Sequence, residues 1–179
     1  MNAQNCLLFQ KGDGAVVNSF TEWGIVCMKT PFSDGDELKK LPVRDWSDED
    51  GEDVYIPSCL KVQAYDAEFE LAYRGEELSD NPFDVHLAAS RIASFRRWLI
   101  GADTQAGSGA DLKIYSPFTR VGRQHCYLLK LSDKDLHVHL KQSGSNVYNE
   151  NVATFKAVFR VCDPVTDIVL TEGESGNEG

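Results

Sequence analysis

Between residues 60 and 164 only one segment carries helical periodicity, and alternating segments bracket it on both sides. Upstream, Tyr65, Ala67, Phe69, Leu71 and Tyr73 alternate with Asp66, Glu68, Glu70 and Ala72. A period of two puts the apolar set on one face of a strand and the carboxylates on the other. The helix is expected at about 84–100, where Val85, Ala88, Ile92, Phe95 and Leu99 form one apolar stripe at spacings of three and four. Asn81-Pro82 or Asp84 can cap its start, and Gly101 stands where a helix stops. Downstream, residues 152–162 alternate again, with Phe155, Ala157, Phe159 and Val161 opposite Thr154, Lys156, Val158 and Arg160. A chain built this way is α+β and mostly β, with one helix to cover the sheet.

The remaining segments fit the same plan. Gly12-Asp13-Gly14 reads as a hairpin turn, because Gly and Asp tolerate positive φ. Strands are expected at residues 23–28, 41–44 and 112–115, with a turn at 31–35. Residues 124–131 and 136–140 read as a hairpin across Ser132-Asp133-Lys134-Asp135. Residues 1–170 are expected to form a single structural domain. Residues 171–179 have almost nothing to bury and are expected to be a disordered tail.

Charge and composition exclude several classes of function. The 179 residues carry a net charge of −10, against the clustered Lys and Arg that a nucleic-acid surface needs. The same acidity repels an anionic membrane surface, and no apolar run approaches the length of a spanning helix. Residues 1–5 do not open a signal peptide, so a cytoplasmic site of synthesis is expected. Cys6, Cys27, Cys59, Cys126 and Cys162 are odd in number and widely spread, which argues for reduced thiols and against a disulfide or zinc framework.

Four candidate chemistries arise. Residues 45–53 hold six carboxylates in nine positions, which invites a calcium reading. With Gly51 as the sixth residue of an EF-hand loop, Trp46 falls on the first ligand position and Pro57 on the last, so a solvated acidic loop is the expectation. His137 and His139 share a strand face and are weak candidates for a metal site lacking an identified third ligand. His125 and Cys126 are adjacent, but neighbouring strand residues face opposite sides and cannot act as base and thiol. Gly107-Ser108-Gly109 precedes a strand and lacks a P-loop lysine, so it is no phosphate cradle. No catalytic residue and no cofactor is therefore assigned.

The running order of elements resembles the N-terminal domain of phage distal tail proteins, the ring-forming hub components of siphophage tails. The residues that carry the resemblance are Phe20-Thr21-Glu22-Trp23-Gly24-Ile25 for an F-x-x-[FW]-G segment and Pro42-Val43-Arg44-Asp45 with Gly51 for a following turn. Trp98-Leu99 ends the helix, and Phe155 through Pro164 matches F-x-x-x-F-x-x-x-D-P. The match runs from Phe20 to Pro164. The resemblance implies a split β-barrel or sandwich-like sheet with one packed helix, in a protein that forms a ring, often a hexamer, between tail tube and baseplate. It implies a homo-oligomer with other tail and baseplate proteins as partners, and a place in the virion tail. Two departures stand out: the acidic loop at 45–53 replaces a glycine-rich turn, and little sequence follows Pro164, so the second domain of many members is expected to be absent. Asp66, Glu68 and Glu70 offer a charged surface for Arg91, Arg96, Arg97 or Arg120 of a neighbour to complement, with no single residue singled out, and each helix arginine by itself reads as part of a solvated face. Two alternatives remain: a metal-dependent hydrolase using His137 and His139, or a monomeric ligand-binding module with a pocket lined by Trp23, Trp46 or Tyr65.

Overall fold

In the computed structural model the described residues are 6–29, 32, 37–45, 47–48, 50–74, 85–102, 109–143 and 146–172, with side chains described outside 85–86 and 133–152. Among the described residues nine strands and two helices follow in the order β1 (Leu8–Lys11), β2 (Val17–Asn18), α1 (Ser19–Trp23), β3 (Ile25–Lys29), β4 (Val43–Arg44), β5 (Asp53–Val54), β6 (Tyr65–Tyr73), α2 (Val85–Leu99), β7 (Leu112–Ser116), β8 (Val121–Ser143) and β9 (Asn146–Val161). Seven of the strands form one curled antiparallel half-barrel, in the order β2-β1-β7-β8-β9-β6-β3. β4 and β5 pair only with each other, as a separate ribbon. The mostly β, α+β reading therefore holds, with α2 as the long helix.

The alternation read from the sequence decides which way the sheet faces. Ala67, Phe69, Leu71 and Tyr73 of β6 and Ala153, Phe155, Ala157, Phe159 and Val161 of β9 all turn inward and are buried. Against them lie Ala88, Ile92, Phe95 and Leu99 of α2, as its stripe predicts. Val85 and the residues named as possible caps, Asn81 and Asp84, lie outside the described side chains. Lys11 reaches under the end of this helix, donating to the Trp98 carbonyl with its ammonium 4.3 Å from the Trp98 ring centroid. A cation there meets the negative end of the helix dipole.

Two sequence expectations are corrected. Trp23 does not open a strand: Ser19–Trp23 is the short helix α1, and Trp23 is its last residue. The Asn18 side chain accepts from the Phe20 N–H at 2.8 Å to start it. Gly24, at φ 67°, ends it in the left-handed region, its N–H donating to the Phe20 carbonyl at 2.7 Å. Residues 132–135 do not form a turn either. β8 runs through them without a break, and the polar Ser132-Asp133-Lys134-Asp135 is where its register with β9 slips by a bulge.

A second, smaller core lies on the outer face of β1 and β7. After β9 the chain turns back at Asp163, and residues 164–172 run across the sheet as a strap. Asp167 pairs with the buried Arg123 of β8, and the Ile168 N–H donates to Gly122 at 3.4 Å. Leu170 is buried with Cys6, Leu8 and Tyr115, and Asn18 donates to Glu172. Gly122 has to be glycine, because a Cβ there would sit 2.4 Å from the Ile168 oxygen.

Candidate functional site

The residues proposed for chemistry do not converge. His137 and His139 are opposite Val152 and Glu150 in the β8–β9 register, and their side chains lie outside those described. Among the described residues no group of three or more His, Cys, Asp or Glu is placed to hold a metal ion. His125 sits at a bulge between β7 and β8 with φ 52°, its Nδ1 3.1 Å from Asp111 Oδ2, in solvent. Cys126 beside it points into the core, and burial pushes its thiol up to about 12. Burial does the same to Cys27, also to about 12. Such thiols are core-filling groups, inert as nucleophiles.

The pocket expected around Trp23 is filled. Trp23 is buried, with ring centroids 5.1 Å from Phe95 and 5.3 Å from Trp98. Tyr65 is half-buried at the start of β6, and Trp46 lies outside the described residues.

Asp66 and Glu68 on the acidic face of β6 find basic partners within the same chain. Arg160 donates to Asp66 at 2.8 Å, and Lys156 pairs with Glu68 at 2.8 Å, both across the β6–β9 ladder. The Lys156 hydrogen bond and charge hold the Glu68 carboxyl below its ordinary range. The basic partner of Asp66 and Glu68 is thus the adjacent strand of the same chain. This leaves Arg96 and Arg97, exposed in the last turn of α2, for other contacts.

What the molecule presents instead is shape. One feature is the end of the β8–β9 hairpin. β7 leaves β8 at Cys126 and β6 leaves β9 at Ala153, yet the two long strands continue together from His137↔Val152 to Ser143↔Asn146. That extension is about 20 Å of two-stranded ribbon at the usual rise per residue. A second ribbon is the excursion between β3 and β6. It is rooted by a Leu38↔Val62 bridge, with the Lys39 N–H donating to Lys61 and the Gln63 N–H to Glu37, each at 2.7 Å. β4 and β5 continue it outward, pairing Arg44 with Asp53 below the acidic loop. A third feature is an open groove of about 300 Å³ where the end of α2 meets β8, lined by Arg96, Ile100, Leu128, Leu129, Lys130 and Leu131. The acidic loop and the arginines are visible in the sequence, whereas the groove forms only where α2 and β8 meet in the fold.

Together these features define a class: an antiparallel half-barrel covered by one long helix, with two ribbons projecting from it. Among solved structures the chain is similar to the SPP1 Dit (gp 19.1) protein, described as a paradigm of hub adsorption apparatus in Gram-positive infecting phages. The TM-score is 0.46 at 12% sequence identity, over 88% of this chain and 50% of that one, so this chain spans about half its length. No protein-family model matches the chain, and no curated protein matches it. No helix among the described residues is long and apolar enough to cross a membrane.

Proposed function

We propose that this chain is a structural component of a phage or prophage tail, forming a ring at the junction of tail tube and baseplate. The observation that carries the reading is the β8–β9 ribbon that outruns the sheet. A two-stranded hairpin alone in water is marginal. A chain that commits residues 137–143 and 146–152 to one gains order for it when a neighbour covers the ribbon, as a subunit of an assembly does. The half-barrel with one packed helix agrees with the architecture that the sequence resemblance implies. In this reading residues 1–170 act as one unit, the protein works in the virion tail, and its partners are further copies of itself and other tail and baseplate proteins. It needs neither cofactor nor catalytic residue, and His137 and His139 are ribbon residues with no metal to hold.

The test is to mix the purified chain with the adjacent tail-tube or baseplate protein and image the mixture by electron microscopy. Rings are expected, and salt should weaken them if charge complementarity contributes. Absence of rings with either neighbour, together with a hydrolytic activity that His137→Ala abolishes, would replace this reading with the metal-dependent hydrolase.

A further inference from the structure

Resting on the reading of the chain as a self-associating tail subunit, we propose that the β4–β5 ribbon of one copy docks into the α2–β8 groove of a second copy. The ribbon is unusual in what it leaves bare. Of thirteen exposed large apolar side chains among the described residues, five belong to it: Leu38, Val43, Tyr55, Ile56 and Leu60. Tyr55 and Ile56 are 75% and 72% exposed, side by side just past β5. Apolar surface concentrated in this way marks a contact. At the far end stand the exposed carboxylates Asp45, Asp48, Asp50, Glu52 and Asp53.

The groove carries the opposite charge. Its lining is mainly polar, with Arg96 and Lys130 beside the exposed Ile100 and Leu129, and with Arg97 exposed on the same helical turn. On a chain with a net charge of −10, such a cationic rim is scarce surface. On β6, Asp66 and Glu68 already pair with Arg160 and Lys156, which removes these two carboxylates as competitors for the arginines. An acidic tip thus meets a basic rim, and the exposed Ile100 and Leu129 stand beside that rim to meet the apolar stem. Stem and trough are different surfaces of one chain, so the contact is head-to-tail, the kind that closes into a ring when the rotation allows.

The experiment uses two charge-reversed full-length chains, D48K/D50K at the tip and R96E/R97E at the rim, with sedimentation velocity across a concentration series. All four positions are exposed, and circular dichroism checks that each variant folds. The unaltered chain is expected to self-associate, and each reversal alone to weaken that by at least roughly tenfold, since like charges then face each other. Mixed one to one, the variants should recover association, because each tip then meets a groove of opposite sign. A further arm oxidises the Ile100→Cys variant. There the exposed thiol of Cys59, next to Leu60 on the ribbon, should form a disulfide-linked dimer with the thiol introduced in the groove of another copy. Reversals without effect, or a mixture that fails to recover, would overturn the proposal. So would a chain that stays monomeric at every concentration; if that monomer still enters rings with a tail-tube protein, the tail reading survives and only the self-docking contact falls.

Discussion

Phe95 is where most of the inner core meets. Its ring lies 5.1 Å from Trp23, 5.7 Å from Phe9 and 6.4 Å from Phe155, and none of it is exposed. Phe95→Ala should cost about 3–5 kcal/mol in a urea unfolding experiment, as opening a cavity of that size does. Asp163 gives a pH prediction. The Gln124 side chain donates to it at 2.8 Å, and the Thr166 and Val165 N–H groups add to that, holding its carboxyl down to about 2. Its folded value is below the unfolded one of about 3.9, so its contribution is full above that pH and is lost as pH falls towards 2. Asp163→Asn should flatten the stability profile between about pH 4 and 2, while leaving the limb above it unchanged in slope. Inward residues such as Phe95 and Phe159 could be read from the sequence because burial follows the local period. The partners of Asp66 and Glu68 could not. Lys156 and Arg160 reach them only through a ladder that joins segments some ninety residues apart, and register of that kind has no local signature.

The long hairpin shows how element boundaries escape a sequence reading. Four polar residues in a row, Ser132-Asp133-Lys134-Asp135, carry the composition of a turn, yet the strand passes through them with a bulge. Cross-strand pairing on both sides supplies more than the local preference for a turn removes. The helix α2, by contrast, was placed within a residue or so, since fifteen residues of 3.6-fold periodicity have no competing interpretation. The acidic run was found, but not the bare apolar stem beneath it, because a strand-like segment discloses its exposure only once its neighbours are known. For the free chain we expect amide exchange at 137–143 and 146–152 to be faster than at Phe155, Ala157 and Phe159, where β9 is flanked on both sides. If the proposed ring forms, hydrogen-exchange mass spectrometry on the free chain and on its mixture with a tail-tube or baseplate protein should show protection appearing in the ribbon. Equal protection in both states would mean the ribbon is ordered without a neighbour.

Taken as a whole, the molecule is a sheet with a covered inner face and a partly covered outer one. α2 closes the inner face, and the strap of residues 164–172 closes the outer face over β1 and β7. A chain stopped after Asp167 loses the buried Leu170 and the Ile168 contact. It should be less stable by about 2–5 kcal/mol, the range for emptying one such site, measured by the urea midpoint at an unchanged slope. A smaller loss would mean that the strap merely lies on the sheet.

The strand order also sets a timetable for synthesis. β1 pairs with β2 close by in the chain, but its other ladder partner, β7, emerges about a hundred residues later. The strap that shields their outer face follows β9, after every strand it covers. During translation Leu8 and Tyr115 therefore wait uncovered, and pairings between distant segments are slow to form. A nascent chain in that state is sticky and open at its edges. The arrival of Leu170 covers that face, so a step that comes after every strand of the sheet decides when the chain stops being sticky.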